Sequence, residues 1–276
     1  MDMKNLMVRV LVALFGIPLI FFLIYSGNPL FLLLVTLIQV LSLREFYMLA
    51  QKKGLHPSRI LGMIALFCIN VCIYFEVTHL ITISIPFVIV LILILELFRG
   101  VPNPMANAGV SILGIGYISL LSFMILIRDL PDRISASNLT GAFLVMLVFA
   151  AIWICDTAAY LYGASHGKHK LFRRVSPNKT WEGAIAGLIA SILFCAFAAF
   201  LVIDPLSVGS GIIIGAIIGI MGQVSDLVES LFKRDAGEKD SSSILPGHGG
   251  ILDRFDSPIL IAPIVFSYLY YFTFHG

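Results

Sequence analysis

Two aspartates close a glycine-rich stretch near the C-terminal end of the sequence, GHGGILDRFDSP, which runs from Gly247 to Pro258. Asp253 and Asp256 are three residues apart, and strongly apolar segments lie on both sides of the stretch. Hard divalent cations prefer carboxylate oxygens and often use one or two protein carboxylates together with phosphate oxygens. The residue types therefore predict metal and phosphate chemistry. Capping of the next helix by Asp256 is a simpler alternative for that residue alone.

A further carboxylate lies on the apolar segment before this stretch. Gly211, Gly215, Gly219 and Gly222 recur at helical steps, and Asp226, Ser230 and Lys233 continue the same series. Residues at these steps share one helix face, so Asp226 is predicted to point into the protein with Glu229 close to it. Ionisable groups in a membrane span are costly and usually face a partner or a wet cavity. An interfacial salt bridge to Lys233 or Arg234 is the structural alternative.

These acids predict a metal site in which Asp226 and Asp253 are ligands and Asp256 is a third ligand or a supporting group. Glu229 and Asp156 are weaker candidates for the same site, and Asp156 is equally explained as a buried, hydrogen-bonded aspartate. Cationic side chains that would suit phosphates lie nearby: Lys233, Arg234, Lys239 and Arg254. Gly249 and Gly250 allow a close backbone approach to a phosphate. His248 is either a phosphate or nucleotide contact or a structural residue.

A second polar segment, YGASHGKHKLFRRVSPNKTWEG, carries many basic residues and follows the apolar segment that contains Asp156. Attraction of its positive charge to anionic lipid headgroups is one explanation. That explanation does not require the Ser-Pro-x-Lys-Thr pattern, so we also predict a phosphate-binding role for Lys179, with Ser176 and Asn178 as neighbouring substrate contacts. Thr180 is predicted to cap the helix that follows.

Composition identifies the kind of protein that positions these groups. Of the 276 residues, 59% are hydrophobic and 12% are charged, whereas soluble domains carry roughly 25% charged residues. The chain is therefore predicted to be an all-α integral membrane protein. A span needs about 20 apolar residues, and nine segments qualify: 8–26, 30–50, 59–76, 79–98, 107–127, 140–163, 183–203, 208–233 and 258–274.

The placement of Lys and Arg predicts the orientation. With nine spans, 16 of the 18 basic residues fall on the side of the N-terminus, and only Arg128 and Arg133 fall on the other side. The positive-inside rule therefore places the N-terminus and both long polar segments in the cytoplasm. We expect one polytopic domain over residues 1–276, with N-terminal spans over 1–135 and the catalytic part over 140–276. The small-residue faces are explained by packing within one chain, and a homodimer is the alternative.

The polar residues of the C-terminal half together resemble the signature of the phosphatidate cytidylyltransferases. That pattern runs Ser-x-x-Lys-Arg, four residues, Lys-Asp, then His-Gly-Gly, and ends Asp-Arg-x-Asp. Every anchor is present at the family spacing: Ser230, Lys233, Arg234, Lys239, Asp240, His248, Gly249, Gly250, Asp253, Arg254 and Asp256. The SPNKTWEG stretch and Asp156 with Tyr160 are also similar, so the resemblance covers residues 150–258 closely.

The resemblance implies that CTP and phosphatidic acid react to give CDP-diacylglycerol and pyrophosphate. It also implies dependence on Mg²⁺, with K⁺ as a candidate second cation. The compact length of the chain separately favours the inner, cytoplasmic membrane as its location. By analogy Asp226 and Asp253 hold the metals, with Asp256 in support. The partners are then CTP, phosphatidic acid and membrane lipids, and no nucleic acid is expected.

Two alternatives belong to other classes of protein. Another membrane transferase that uses CTP or a lipid phosphate shares much of this chemistry, although the Asp-Gly-x-x-Ala-Arg motif of the CDP-alcohol phosphotransferases is absent from the sequence. A transporter or channel would line an ion path with Asp156, Asp226 and Glu96. Such a path predicts acidic residues near the middle of the membrane, whereas these acids cluster at the predicted cytoplasmic ends of their helices.

Overall fold

The computed structural model describes residues 3–27, 29–130, 138–201, 206–244 and 249–274. Within these ranges the chain is almost entirely helical and carries one β-hairpin. The helices are α1 Met3–Ser26, α2 Leu30–Lys52, α3 Arg59–Tyr74, α4 Thr78–Arg99, α5 Pro104–Ser119, α6 Phe123–Asp129, α7 Asn138–His166, α8 Trp181–Leu201, α9 Val208–Asp235 and α10 Leu252–Tyr268. A 3₁₀ turn, Leu120–Ser122, joins α5 to α6, and a π-helical segment, Leu269–Phe274, extends α10.

Each of the nine predicted apolar segments overlaps a helix of the described residues, and α5, the 3₁₀ turn and α6 together form the fifth. Among the described residues, seven helical segments are long and apolar enough to cross a bilayer: Leu30–Lys52, His79–Arg99, Pro104–Asp129, Thr140–His166, Trp181–Leu201, Val208–Asp235 and Leu252–Phe274. The apolar stretches Leu14–Ser26 and Arg59–Tyr74 are shorter. The prediction of a helical membrane protein is thereby confirmed.

The last helix begins earlier than the sequence suggested. The expected start was at Pro258, whereas α10 begins at Leu252 and includes both aspartates. The backbone at Phe255 leaves helical geometry, with φ −121° and ψ 16°. Proline cannot donate a backbone hydrogen bond, and its ring clashes with the preceding turn, so the irregularity three residues before Pro258 has a direct cause. This kink lies between Asp253 and Asp256.

The chain divides into two compact units, one formed by Met1–Ile125 with Phe232–Phe255 and the other by Leu126–Leu231 with Asp256–Gly276. Tyr47 of α2 is fully buried in the first unit and donates a hydrogen bond to the Ser111 carbonyl at 2.8 Å. A Cβ on Gly62 or Gly114 would lie 2.7 Å or less from the Tyr47 side chain. Small residues on α3 and α5 therefore make room for the Tyr47 ring.

Three buried polar side chains fix the helices of the first unit in register. Gln39 donates to Ser122 at 2.8 Å, Ser122 donates to Asn70 at 2.7 Å, and Asn70 donates back to Gln39 at 2.6 Å. This closed triangle joins α2, α3 and the 3₁₀ turn. Buried polar groups are expensive unless their hydrogen bonds are made, so the triangle favours one arrangement of these helices over shifted ones.

The second unit is built on glycine contacts between α7, α8 and α9. A Cβ on Gly211, Gly215 or Gly219 of α9 would lie 2.5 to 2.7 Å from backbone atoms of α8. The predicted glycine stripe therefore packs within this chain, where close backbone approach strengthens van der Waals contact between helices. Ser191 of α8 adds a hydrogen bond to the Gly215 carbonyl at 2.9 Å.

An antiparallel hairpin between α7 and α8 was not predicted. Strand β1, Lys170–Phe172, pairs with β2, Ser176–Thr180, through Lys170 with Thr180 and Phe172 with Ser176. Its strands contain Ser, Pro, Asn and Lys and lack the alternation of apolar and polar residues that signals a strand. The pairing instead follows from the short turn and from the fixed ends of α7 and α8.

Candidate active site

Three carboxylates of the second unit converge beside α9. One oxygen from each of Asp226, Glu229 and Asp256 lies within 4.8 Å of the others. Glu229 is 1% exposed and Asp256 is 8% exposed, whereas the Asp226 side chain is 36% exposed. The cluster thus has two buried members and one that opens outward, and its oxygens are of the type that hard divalent cations prefer.

Local geometry explains why these groups meet. Asp226 and Glu229 are three residues apart on α9, so they lie on neighbouring positions of one helix face. Ser225 of the same helix donates a hydrogen bond at 2.6 Å to the backbone carbonyl of Asp256. This buried bond attaches the start of the last apolar segment to α9 and brings its carboxylate to the other two. Glu229 was the weaker candidate in the sequence, and its spacing from Asp226 was the signal that favoured it.

Lys179 lies against the outward member of this cluster. Its ammonium forms an ion pair with Asp226 Oδ2 and donates a hydrogen bond to Gln223 at 3.3 Å. Ser230, one turn further along α9, donates to Asp226 Oδ1 at 3.3 Å. The side chain of Lys179 is 21% exposed. The predicted phosphate-binding lysine and the predicted metal-binding aspartate therefore belong to one site.

The hairpin and the start of α8 set the position of Lys179. Thr180 caps α8 as predicted and accepts a hydrogen bond from the Gly183 amide at 3.2 Å. A Cβ on Gly167 would lie 2.6 Å from Thr180, and one on Gly183 would lie 2.6 Å from a backbone oxygen of α7. The chain thus turns tightly against α7 immediately after Lys179, which leaves the lysine little freedom of backbone position.

Glu182 fastens the other end of the hairpin. Its carboxylate accepts hydrogen bonds from the amides of Lys168 and His169 at 3.2 Å and pairs with the His169 ring at 2.6 Å. Ser176 and Asn178, the other predicted substrate contacts, lie on β2, where Asn178 is exposed. Asp156 is exposed on α7, and it does not belong to the three-carboxylate cluster among the described residues.

Asp253 has its own set of partners in the first unit. Lys233 donates to its Oδ1 at 2.8 Å, and the amides of Ser241 and Gly250 donate to its Oδ2 at 3.0 and 2.7 Å. The Asp253 and Lys233 side chains are 7% and 11% exposed. Charge-assisted hydrogen bonds of this kind hold a carboxylate in a defined orientation. The expectation that Asp253 shares a metal with Asp226 stays a prediction.

Aromatic packing anchors the segment that carries Lys233. Phe232 meets Phe46 of α2 edge to face at 5.4 Å and Tyr117 of α5 at 5.6 Å between ring centroids. Arg234 is exposed and donates to the Glu238 carbonyl at 2.8 Å. Lys239 and Arg254 are exposed as well. Of the predicted basic groups in this part of the chain, Lys233 is the one held inside the protein.

The two glycines of the signature occupy restricted space. Gly249 has φ +84°, a left-handed conformation that favours glycine, and its added Cβ would lie 2.7 Å from Asp253 Oδ2. An added Cβ on Gly250 would lie 2.0 Å from Ser241 Oγ and 2.4 Å from Glu45 Oε2. Both glycines therefore admit the close contacts around Asp253. His248 lies outside the described residues, so its predicted phosphate contact stays a prediction.

Sequence reasoning missed Glu45. It lies on α2, far along the chain from the signature, yet its carboxylate contacts Ser241, Ser242, Ile251 and Leu252. The signal in the sequence was an acidic residue inside an apolar segment, which usually marks a buried partner. Glu96 of α4 is also buried; it pairs with Arg99 at 2.7 Å and accepts from Asn107 at 3.3 Å.

Comparison with known proteins covers nearly the whole chain. A sequence model of the cytidylyltransferase family matches residues 7–272. The chain belongs to the cytidylyltransferase family. A phosphatidate cytidylyltransferase from Synechocystis is 33% identical over 95% of both chains. Relatives of the same name from Staphylococcus haemolyticus and Staphylococcus aureus are 46% identical over 47% and 45% of this chain, and over 50% and 48% of their own lengths.

Family membership extends beyond the residues that carried the resemblance. The resemblance was close over residues 150–258, whereas the family match begins at residue 7 and includes α2. The match to the cytidylyltransferase family therefore includes the N-terminal helices of this chain. Glu45, which contacts the signature from α2, lies inside the matched region.

Proposed function

We propose that this membrane protein transfers the cytidylyl group of CTP to phosphatidic acid, which yields CDP-diacylglycerol and pyrophosphate. The observation that carries the proposal is the alignment over 95% of both chains with a relative named phosphatidate cytidylyltransferase. The clustered acidic and basic side chains beside α9 agree with it, since a reaction between two anionic phosphates needs groups that bind and neutralise phosphate charge.

The substrates define what the protein must do. The phosphate monoester of the lipid is largely dianionic near neutral pH, since such groups have a second pKa of about 6. It is therefore already a nucleophile toward the α-phosphorus of CTP and needs little help from a base. The protein must bring the two phosphates into line and stabilise the charge of the leaving pyrophosphate.

The carboxylate cluster fits a divalent cation. Asp226, Glu229 and Asp256 offer three oxygens within 4.8 Å of one another, and close carboxylates repel unless positive charge lies between them. We therefore propose that these residues hold Mg²⁺, with Asp253 as the ligand predicted from the signature and K⁺ as a candidate second cation. Bound Mg²⁺ would polarise phosphate oxygens and neutralise the charge of the leaving group.

The basic residues divide into two proposed roles. Lys179, partly exposed and ion-paired with Asp226, is placed to bind a phosphate oxygen beside the carboxylates. Lys233 is buried and donates to Asp253, so its proposed role is to orient that carboxylate. The exposed Arg234, Lys239 and Arg254 remain proposed contacts to the triphosphate, because long cationic side chains reach outward at little cost.

Both substrates also suggest where the site lies. The lipid must reach it from the bilayer and CTP must reach it from the cytoplasm, so we propose a site at the cytoplasmic face of the inner membrane. The bias of 16 of 18 basic residues toward the side of the N-terminus supports this orientation. It depends on nine spans, in which the two shorter apolar helices also cross the membrane. A homodimer, which the sequence left as the alternative, stays a prediction.

One assay tests the function. Purified protein in detergent is incubated with phosphatidic acid, Mg²⁺ and CTP labelled either on the α-phosphorus or on the γ-phosphorus. The proposal expects the α-label in a lipid-soluble product and the γ-label in pyrophosphate. Appearance of the γ-label in lipid would instead indicate a kinase, and absence of both labels from lipid and pyrophosphate would refute the proposed activity.

A further inference from the structure

The buried carboxylate of Glu45 on α2 contacts residues on both sides of the His-Gly-Gly part of the signature. Glu45 is 0% exposed. Its Oε1 accepts hydrogen bonds from Ser242 Oγ at 2.6 Å and the Ile251 amide at 3.0 Å. Its Oε2 accepts from Ser241 Oγ at 2.8 Å and the Leu252 amide at 2.8 Å. Four donors thus meet the four lone-pair directions of one carboxylate.

The four donors come from two short stretches of the chain, Ser241–Ser242 and Ile251–Leu252. Two are serine hydroxyls after α9, and two are backbone amides at the start of α10, which begins at Leu252. The first amides of a helix have no partner within the helix and favour a negative charge. Glu45 therefore caps α10 from a distant helix, and at the same time it holds the serine stretch against that helix.

Asp253 depends on the same two stretches. Its carboxylate accepts hydrogen bonds from the Ser241 amide at 3.0 Å and the Gly250 amide at 2.7 Å. Glu45 contacts the hydroxyl of Ser241 and the two residues that follow Gly250. Glu45 therefore holds, by its own hydrogen bonds, the two stretches whose amides orient Asp253. A Cβ added to Gly250 would lie 2.4 Å from Glu45 Oε2, so the absence of a side chain at this position lets the backbone pass close to the carboxylate.

We propose that Glu45 is a positioning residue for cytidylyl transfer. It holds residues 250–252 in place, and through them it keeps the Asp253 carboxylate in the orientation that the reaction needs. This inference rests on the proposed function and extends it to the N-terminal half of the chain. Glu45 lies 207 residues before Leu252, outside the signature. It touches no reacting group and acts through Asp253.

The sharpest perturbation is Glu45→Gln, which keeps the size of the side chain and changes its hydrogen bonding. One acceptor oxygen becomes an amide NH₂, which is a donor. A serine hydroxyl can rotate to accept from it, but a backbone amide cannot. One of the Ile251 and Leu252 amides would then face another donor, so the turn must open locally. Changing a residue that orients a metal ligand typically lowers metal affinity or activity by about 10- to 100-fold.

A matched control is Glu96→Gln. Glu96 is also a buried glutamate of the first unit, 7% exposed, and it accepts hydrogen bonds from Arg99 and Asn107 on neighbouring segments. The chemical change is identical, and Glu96 makes no hydrogen bond to the described residues between 236 and 255. A general loosening of the unit would affect both variants, whereas a positioning role is specific to Glu45.

Two measurements separate positioning from folding. The first is the Mg²⁺ concentration for half-maximal activity, which we expect to rise about 10-fold or more in Glu45→Gln and to stay within about 2-fold in Glu96→Gln, while the KM for phosphatidic acid is unchanged. The second is hydrogen–deuterium exchange of the peptide covering residues 249–254, which should become faster only in Glu45→Gln. Wild-type Mg²⁺ dependence in Glu45→Gln would overturn the proposal.

The remaining outcomes are also decisive. If Glu45→Gln does not elute as a folded protein, the double variant Ser241→Ala/Ser242→Ala takes its place, since it removes two of the four donors and leaves the carboxylate. We expect the same shift in Mg²⁺ dependence, and its absence would overturn the proposal. If the wild-type protein forms no CDP-diacylglycerol, the proposed function fails by itself. Hydrogen exchange then decides alone whether Glu45 holds the turn.

Discussion

Replacing Gly250 with alanine tests the geometry around Asp253 by adding a single methyl group. The new Cβ would lie 2.0 Å from Ser241 Oγ and 2.4 Å from Glu45 Oε2, whereas an ordinary contact begins at 3.4 Å. Both atoms must therefore retreat by about 1 Å or more. They are side-chain atoms, but Ser241 is 5% exposed and Glu45 is 0% exposed, and they are hydrogen-bonded to each other.

The expected magnitude follows from that displacement. The Gly250 amide also donates to Asp253, so a shift of the backbone is passed on directly to this carboxylate. A misplacement of about 1 Å in an active site costs roughly 100-fold in rate, which corresponds to about 2.7 kcal/mol of transition-state stabilisation. Overpacking a buried position destabilises the fold by about 1 to 3 kcal/mol.

The assay is kcat/KM for CDP-diacylglycerol formation, measured beside thermal stability in detergent. Gly116→Ala is the matched control, because Gly116 lies in the last turn of α5 in the same unit and its added Cβ meets nothing within 4 Å. Alanine is favoured over glycine inside a helix by about 1 kcal/mol, so this variant should keep wild-type activity. Activity of Gly250→Ala within about 3-fold of wild type, in a folded protein, would refute the assigned geometry.

Other parts of the site give further expectations. Lys179→Gln removes the ion pair to Asp226, and we expect kcat/KM for CTP to fall about 10-fold or more, as for a lost charged hydrogen bond of about 1.5 to 3 kcal/mol; an unchanged value would exclude a phosphate contact. Phe232→Ala removes two ring contacts and should lower the free energy of unfolding by about 2 to 4 kcal/mol, read as a lower thermal midpoint. A thermal midpoint equal to that of the wild type would mean that these rings do not anchor the segment that carries Lys233. Chelation by EDTA should abolish activity and added Mg²⁺ should restore it; activity that persists in EDTA would exclude the proposed metal site.

The membrane helices could be predicted because their signal is local. Apolar runs of about 20 residues have few alternatives to a span, since every backbone polar group must be satisfied inside lipid. The regular spacing of the glycines on α9 also predicted the packing face correctly, because helical periodicity alone determines which residues share one face of a helix. The positions of Asp226 and Glu229 on that helix follow from the same rule.

The features that escaped prediction depend on contacts between distant segments. Glu45 stood in the sequence as one acid within an apolar run, and nothing local paired it with Leu252, 207 residues later. The hairpin that holds Lys179 has strands of only 3 and 5 residues, which are too short and too polar to give a pattern. The early start of α10 was hidden because Pro258 normally marks a first turn, whereas here the helix bends before it.

Two of the three acidic residues that would line an ion path have other partners in the structure. Glu96 is paired with Arg99 at the end of α4, and Asp226 is paired with Lys179 beside two other carboxylates. Groups that line a conducting path must bind ions weakly enough to release them. A compact cluster with an adjoining lysine is instead typical of phosphate chemistry, in agreement with the family.

The central claim is that the carboxylates beside α9 serve Mg²⁺-dependent cytidylyl transfer, and Asp226→Asn tests it most directly. Asp235→Asn is the control, since Asp235 ends the same helix with a side chain that is 58% exposed and forms an ion pair with Lys53. A metal ligand contributes several kcal/mol to the transition state, so Asp226→Asn should lose about 100-fold or more in kcat. The account predicts this loss in a folded protein while Asp235→Asn keeps wild-type activity; equal activities of the two variants would contradict it.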